Sequence, residues 1–446
     1  MRRGIETAPM KKEGHDPRQS YAWLVWLEPA LVLLLAPVFL FPSPHRSILF
    51  FFMPLIFVLH FFARRRIVEP SPANAPLGLL MLMVLVSLYA TYDISFSLPK
   101  VAGVLLGTAV FFVILNVTSS SKLLAQVLAV AILGMVALSL LGLLGTQWYS
   151  KVPILGSITA HLPPLIKGVP GAEEGFPPNA IAGTLILFLP LQIVVLLSAF
   201  RDQRKNSKFV LSTLASIFIT AGVLLLTQSR GAWIGLAVAL LLLFAWMGRW
   251  GKWLALAVVV AGMVLVLRVG PEKVGDAVMT GIGGTPSAAR TMEVRAEIWN
   301  RAIYGISDFP FTGMGMNTFR KVVNVLYPLF LIPPDVDIAS CHNQLLQTAL
   351  DLGIPGLVAY VALLAVAITM GIQVWRHAKE FWIRASAQGL VCGIVAQQVF
   401  GITDSIPLGA KVGIFFWIAL GILAAMHRLM KMDLHDSSSH GEASAR

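Results

Sequence analysis

The chain has 446 residues, of which 57% are hydrophobic and 13% are charged. A soluble domain of this size carries about a quarter charged residues, so the composition excludes an ordinary soluble enzyme and predicts an integral membrane protein. The formal net charge of +12 could indicate a nucleic-acid partner, but in membrane proteins such an excess usually reflects Lys and Arg on cytoplasmic loops. The positions of the basic residues therefore decide between the two interpretations.

The chain contains apolar stretches that are each long enough to form a membrane-spanning helix, which takes about 17–25 residues. They fall near 23–41, 47–63, 76–92, 99–117, 123–145, 179–200, 209–227, 231–247, 252–269, 343–374, 382–402 and 410–428. These stretches predict an all-α polytopic integral membrane protein with about twelve transmembrane helices. An even number places both termini on one side, so 1–22 and 429–446 are predicted tails around a transmembrane domain at 23–428.

The basic residues orient this arrangement. With the N-terminus inside, the predicted inner segments hold most Lys and Arg, including Arg64, Arg65 and Arg66, whereas the short outer loops hold few. The positive-inside rule then predicts that both tails are cytoplasmic. The same distribution explains the basic charge, so we expect no nucleic-acid partner. Two outer segments are long, namely 146–178, which is rich in Pro and Gly, and 268–342, between the ninth and tenth spans.

The segment 291–307, TMEVRAEIWNRAIYGIS, has the periodicity of an amphipathic helix. Its apolar face consists of Val294, Ile298, Trp299, Ala302 and Ile306. Arg295 falls at the centre of that face, where a guanidinium is costly to bury unless it meets an anion. It could therefore bind an anionic substrate, pair with an acid elsewhere in the fold, or extend its charged end into water. Arg301 lies on the opposite, polar face and is predicted to be solvated.

Two other residues at predicted outer helix ends are candidates for chemistry. Arg230, in TQSRGAWIG, lies in a short outer turn between two spans, against the general charge bias. Such an arginine either reaches lipid headgroup phosphates or belongs to a functional site. His342, in SCHNQLLQTALDLGIPGL, opens the tenth span. A histidine can act as a base near neutral pH, and the alternative is a polar residue at the membrane interface.

The remaining polar candidates have less distinctive spacing. Asp335 and Asp337 form a D-x-D pair that could hold a divalent cation, but such pairs are common in loops, and we expect these acids to be solvated. Lys100 in DISFSLPK, Asn179 in FPPNAIAG and Asp404 in GITDSIP are weaker candidates. The sequence contains no P-loop, no dinucleotide-binding glycine pattern and no zinc-ligand spacing, and the glycines of PFTGMGMNTF are typical of a turn.

Several motifs occur in a fixed order. They are TQSRGAW at 227–233, R-x-E-x-W from Arg295 to Trp299, DFPFTGMGMNTF at 308–319, and H-N-x-x-L at 342–346 followed by GIPGL at 353–357. Each motif alone is weak, but the ordered set resembles the O-antigen ligase/polymerase superfamily of membrane glycosyltransferases. The motifs cover roughly 220–360, and the predicted topology, with its large late outer loop, extends the resemblance to nearly the whole chain.

The resemblance implies a fold and a reaction. The fold would be the GT-C-like helical type, with 23–428 as the glycosyltransferase domain in a bacterial inner membrane and 146–178 and 268–342 in the periplasm. The donor would be a glycan on undecaprenyl diphosphate and the acceptor a sugar of lipid A–core, without a cofactor or a metal. Membrane lipids would be further partners.

The resemblance also implies residue roles. His342 would be the general base for the acceptor hydroxyl, and Arg230 and Arg295 would bind and stabilise the departing diphosphate. Further substrate-binding candidates are Lys100, Asn179 and Asn343. The chemistry is consistent with these roles, because expelling a diphosphate requires stabilisation of developing negative charge, and forked, always-protonated guanidinium groups provide it.

Three functions remain compatible with this pattern. An O-antigen ligase would transfer the glycan to lipid A–core, and the H-N-x-x-L motif together with R-x-E-x-W favours it. A polysaccharide polymerase would use the same donor chemistry with another lipid-linked repeat as acceptor. A lipid-linked glycan flippase would need polar groups along a central cavity, whereas the middles of the predicted spans are largely apolar. The stereochemical outcome stays open.

Overall fold

A computed structural model describes residues 22–201, 206–246, 248–269 and 286–444, and the described part of the chain is helical without β-strands. The helices are α1 Leu27–Leu40, α2 Leu55–Arg64, α3 Asn74–Ala90, α4 Ile94–Val117, α5 Ser121–Gly145, α6 Pro153–Thr159, α7 Pro178–Arg201, α8 Ser207–Leu226, α9 Arg230–Trp246, α10 Arg249–Val269, α11 Pro286–Asp308, α12 Phe319–Leu326, α13 Gln344–His377, α14 Phe381–Phe400 and α15 Ile414–Ser444. Short 3₁₀ turns at Ala22–Trp26, Pro44–Phe52 and Lys411–Gly413 precede α1, α2 and α15. Most of the predicted tail 1–22, residues 270–285 of the predicted outer loop and the last two residues of the tail 429–446 lie outside the described residues.

The predicted polytopic membrane architecture is supported. Among the described residues, 8 helices are long and apolar enough to cross a membrane, and they include α1, α2, α4, α5, α7, α8, α13 and the part of α15 up to His435. This is fewer than the twelve predicted spans, although each predicted stretch is helical in the structure. The helices α3 and α9 have only 17 residues each. The helix α14 carries Arg384 and the pair Gln397 and Gln398 within its 20 residues.

The central layer is formed by α7, α9 and α14, which pack closely along their lengths. Small residues permit this approach, as is common in membrane bundles. A Cβ atom on Gly393 would lie 1.8 Å from the carbonyl oxygen of Leu187, and one on Gly235 would lie 2.5 Å from that of Ala396. The packing brings the starts of α7, α9 and α13 and the end of α14 together at one end of the bundle. We call this the site end.

The helix α13 is interrupted at Gly353, which has φ 70° and precedes Ile354-Pro355. The break is stabilised by the segment between α11 and α12. The amide of Ile354 donates to the carbonyl oxygen of Pro310 at 2.7 Å, and that of Met314 donates to Leu350 at 2.7 Å. Backbone groups freed by a helix break must be satisfied in this way inside a membrane protein. The GMGMN turn predicted from the glycines is therefore a support for the broken helix.

A second, smaller core lies at the site end, under the loop that connects α12 to α13. Ile298 and Ala302 of α11 are almost completely buried there, together with Phe319 and Val323 of α12. The apolar face predicted for 291–307 is therefore confirmed. Because α11, α12 and the loop to α13 share this core, they form an ordered cover over the site end of the bundle.

Candidate functional site

Asp404 is the centre of the polar cluster at the site end. It lies in the loop that follows α14, and its carboxylate joins residues from three other elements. His342 Nδ1 is 3.1 Å from Oδ1, the Nη2 atom of Arg295 is 3.5 Å from Oδ2, and Asn179 Nδ2 donates to Oδ2 at 2.6 Å. The Asp404 side chain is only 9% exposed. A buried carboxylate with these partners fixes the relative positions of the groups around it.

The burial and the partners of Asp404 act on its acidity in opposite directions. Burial alone raises the pKa of this carboxyl, but the hydrogen bond from His342 and the positive charge of Arg295 outweigh it, so the pKa of Asp404 lies below its ordinary value of 3.8. Asp404 is therefore a carboxylate at neutral pH, and the site contains a fixed negative charge next to Arg295.

Arg295 reaches this cluster from the apolar face of α11. Its side chain is 17% exposed and pairs with Asp404, which is one of the possibilities expected for an arginine in that position. A guanidinium has five N–H donors, so the contact with one carboxylate oxygen leaves most of its donors available. The arginine is thus held in place by protein and can still bind an anion.

His342 precedes α13 in a left-handed backbone conformation, with φ 51°. A non-glycine residue in this region is uncommon, and such strain often marks functional sites. The neighbour Asn343 holds the turn: its side-chain oxygen accepts from Leu345 and Leu346, and its amide donates to Ile402 at 3.0 Å. The predicted substrate-binding role of Asn343 remains a prediction, and the contacts of its side chain position His342.

The contact with Asp404 determines which nitrogen of His342 is available for catalysis. A carboxylate is an acceptor, so Nδ1 carries the hydrogen in the neutral ring, and Nε2 keeps its lone pair. The His342 side chain is 31% exposed, which leaves the ring accessible from outside. A neutral imidazole held in this way can accept a proton from a hydroxyl group.

Arg230 is the first residue of α9 and comes directly after a turn in which Gln228 has φ 51°. The side-chain oxygen of Gln228 accepts from the amides of Lys151 and Val152, both at 2.7 Å. The TQSRG motif thereby ties the Pro- and Gly-rich segment 146–178 to the start of α9. This tie brings Lys151 to the site.

Lys151 is a cation of the site that the sequence motifs do not identify. Its pKa is lowered by burial and by the positive charges of Arg230 and Arg295, and Asp404 opposes these effects. The residue is therefore within electrostatic range of all three. Arg230, Arg295 and Lys151 therefore give the cluster more basic than acidic side chains. Such a cluster is suited to a diphosphate.

Two other polar residues of α11, Glu297 and Arg301, contact the outer loop. The carboxylate of Glu297 accepts from the amides of Phe330 at 2.6 Å and Leu331 at 2.9 Å, so this acid holds the outer loop. Arg301 was predicted to be solvated, and this is wrong: its Nε donates to the carbonyl of Pro328 at 2.9 Å. Its guanidinium lies near the rings of Tyr304 in α11 and Phe330 in the loop.

The D-x-D pair is divided between two roles. Asp337 forms a bidentate contact with Arg320 of α12, while Asp335 is exposed. Both acids are exposed, as expected for a solvated loop, and Asp337 also pairs with Arg320. Within the described ranges, no group of three or more His, Cys, Asp and Glu side chains could hold a metal ion.

The weaker candidates separate in space. Asn179, at the start of α7, belongs to the cluster through its bond with Asp404. Lys100 of α4 does not contact it, and instead lies within electrostatic range of Asp351, Arg320 and Lys411. The structure thus brings His342, Arg230, Arg295 and Asn179 to one place. Lys100 belongs to a neighbouring group.

Residues 215–361 match the model of the O-antigen ligase family. An O-antigen ligase of Pseudomonas aeruginosa is 27% identical over 216 residues, which are 48% of this chain and 47% of that relative. The resemblance to O-antigen ligases is confirmed. The chain is matched to about half the length of this relative. The segment that matches the family model contains Arg230, Arg295 and His342, whereas Lys151, Asn179 and Asp404 come from outside it.

Proposed function

We propose that the protein is an O-antigen ligase that transfers a glycan from undecaprenyl diphosphate to a sugar hydroxyl of lipid A–core at the periplasmic face of the bacterial inner membrane. The observation that carries this proposal is the convergence of His342 and Arg295 on the carboxylate of Asp404, with both residues inside the family-matched segment. The family match supports the reaction class, and the charges of the cluster support the donor.

The acceptor hydroxyl is activated by His342. Nε2 accepts its proton while the hydroxyl oxygen forms a bond to the anomeric carbon of the glycan. The bond between that carbon and the diphosphate oxygen breaks, and its electron pair leaves with undecaprenyl diphosphate. Asp404 stabilises the imidazolium that results and holds the ring in the required tautomer.

The departing diphosphate is stabilised by the cations around it. Arg230 and Arg295 supply planar, permanently charged donors, and Lys151 adds a third charge on the side of the segment 146–178. Asn179, which is held by its hydrogen bond to Asp404, binds the substrate on the same side. Because these cations supply the compensating charge, the reaction proceeds without a metal or a cofactor. Lys100 and Asn343 complete the proposed set of substrate-binding residues.

Gene deletion distinguishes this function from a polymerase and a flippase. In a deletion strain, a ligase defect leaves intact core without long chains and accumulates long lipid-linked polymer. Accumulation of short lipid-linked repeats at the periplasmic face would instead identify a polymerase, and repeats trapped at the cytoplasmic face would identify a flippase. Separation of lipopolysaccharide on a gel, together with extraction of the lipid-linked fraction, provides both readouts.

The proposed orientation has an independent test. Both termini are proposed to be cytoplasmic, so the site end faces the periplasm. A single cysteine at Lys167, in the segment 146–178, should react with a membrane-impermeant thiol reagent in intact spheroplasts. One at Arg66, between α2 and α3, should react only after the membrane is permeabilised. The same accessibility at both positions would contradict the topology and the periplasmic location of the site.

A further inference from the structure

A cavity of about 590 Å³ lies at the end of the bundle opposite the candidate site. It is formed by the first turns of α5, α8 and α14 and by the last turns of α7, and its walls are mainly apolar, with Leu128, Ile132 and Val195 among them. The volume is in the range of ligand-binding cavities. Ala125 and Phe209 line the cavity and are exposed at the surface of the bundle. The cavity therefore opens sideways, where the bilayer surrounds the protein.

Two arginines lie beside the ring of Phe381, which lines the cavity. The Arg201 guanidinium lies 4.5 Å from the centre of the Phe381 ring, and that of Arg384 lies 5.9 Å from the same ring. Within the described part of the chain, no acidic side chain is within ion-pair distance of either arginine. The acid Glu380 also lines the mouth, but it accepts a hydrogen bond from the indole of Trp382. Arg201 and Glu380 line the mouth, and Arg384 lies beside the same ring, so among the described residues two arginines are near one acid.

These features select a lipid over a water-soluble ligand. An apolar cavity that opens to hydrocarbon is filled by a chain from the bilayer, because neither water nor a void is favourable there. Basic pockets between transmembrane helices on the cytoplasmic side bind anionic lipid headgroups. The positions of Arg201, at the mouth, and Arg384, beside the ring of Phe381, fit a phosphodiester group with its acyl chain extended inward.

We propose that this cavity, which we call the α5–α14 cavity, binds an anionic phospholipid of the cytoplasmic leaflet. The headgroup phosphate lies beside Arg201 and Arg384, and one acyl chain occupies the space between α5 and α14. This inference does not depend on the ligase reaction, because the cavity and the catalytic cluster lie at opposite ends of the bundle. The lipid fills a gap between the helices at the end of the bundle away from the chemistry.

The test is lipid titration of the delipidated, detergent-purified full chain, followed by native mass spectrometry. Phosphatidylglycerol should bind more tightly than phosphatidylcholine to the wild type. Arg201→Gln should reduce that preference about fivefold, the factor expected for one basic residue at an anionic surface, whereas Arg201→Lys should retain it. Arg249 is the matched control, since it is also a cation on an aromatic ring at the same end but does not line the cavity. Arg249→Gln should have no effect.

A cavity-filling variant tests the position of the chain. Ala129 lines the cavity and is exposed, so Ala129→Phe should weaken binding of both lipids while the protein stays monodisperse. Equal preferences in Arg201→Gln and Arg249→Gln, or unchanged binding in Ala129→Phe, would overturn the proposal. Displacement of phosphatidylglycerol by an equal concentration of undecaprenyl phosphate would also overturn it, and would identify the carrier lipid as the occupant.

Discussion

Asp404→Asn is the substitution that most directly perturbs the geometry of the site. The side chain keeps its size, but the carboxylate that accepts from His342 Nδ1 at 3.1 Å and pairs with Arg295 at 3.5 Å is lost. A hydrogen bond to a charged group contributes about 1.5–3 kcal/mol. If this hydrogen bond stabilises the transition state by its full free energy, the rate of transfer should fall about 10- to 150-fold, since each 1.36 kcal/mol in activation free energy changes the rate about tenfold. His342→Ala removes the base itself and should cost about 10²- to 10⁴-fold.

The two variants should differ in their effect on the donor. Asp404→Asn adds a net positive charge to the cluster, so the affinity for the lipid-linked diphosphate should be unchanged or higher. Single-turnover transfer measured beside donor binding separates these effects. Transfer by Asp404→Asn at the wild-type rate, with normal donor binding, would refute the reasoning that Asp404 positions His342. Loss of donor binding would instead make Asp404 part of the binding surface through Arg295.

Asp404 also predicts a pH dependence of stability. Because its pKa is lowered in the folded protein, the ionised carboxylate contributes stability above its unfolded pKa, and this contribution is lost as pH falls through the folded value. The difference in unfolding free energy between wild type and Asp404→Asn should therefore be present above about pH 4 and shrink as the pH falls below it. Thermal unfolding in detergent over this range provides the measurement, and a difference that grows in acid would contradict the assignment.

Three further predictions concern the arginines, the metal and the broken helix. Arg295→Lys should abolish most transfer because an ammonium lacks the planar fork, whereas Arg301→Lys should retain it because Arg301 contacts only protein groups; equal loss in both would contradict the distinction between the two faces of α11. Transfer by purified protein should survive chelation by EDTA, and strict dependence on added Mg²⁺ or Mn²⁺ would contradict the metal-independent mechanism. Gly313→Ala should destabilise the fold by more than about 2 kcal/mol, because φ is +68° and the new Cβ would lie 2.5 Å from the nitrogen of Gly353. Gly168→Ala is the control, with φ +72° and open space, and its thermal stability should fall less than that of Gly313→Ala.

The local pattern of the sequence predicts the position of Arg295 on the apolar face of α11, because the helical period of 3.6 residues does not depend on the rest of the fold. It does not predict that Asp404 is the partner, since that residue lies far along the chain and has no distinctive spacing. Lys151 was not predicted for a similar reason. It lies in an irregular Pro- and Gly-rich segment, and only the contact between Gln228 and the backbone of 151–152 brings it to Arg230.

For the fold as well, the sequence predicts local structure but not the contacts between residues that are distant along the chain. Apolar stretches predict where helices form. Whether a helix crosses the membrane also depends on its length and on the polar residues that it buries against its neighbours. The helix α14, with Arg384, Gln397 and Gln398, is an example of a helix with such polar residues. The sequence stretch 343–374 predicts one continuous span, whereas Gly353 breaks α13. The Gly-Ile-Pro-Gly sequence is a signal for such a break. The partner that satisfies it, the turn at Pro310–Met314, is visible only in the structure.

Single-turnover transfer by His342→Gln tests the central claim most directly. Glutamine keeps a polar group of similar reach that can hydrogen-bond but cannot accept the proton, and Arg230, Arg295 and Lys151 remain to hold the donor. The purified variant should bind the lipid-linked glycan as the wild type does and transfer it to lipid A–core about 10²- to 10⁴-fold more slowly. Transfer near the wild-type rate would mean that His342 only positions the acceptor, and the assignment of His342 as the general base would be wrong.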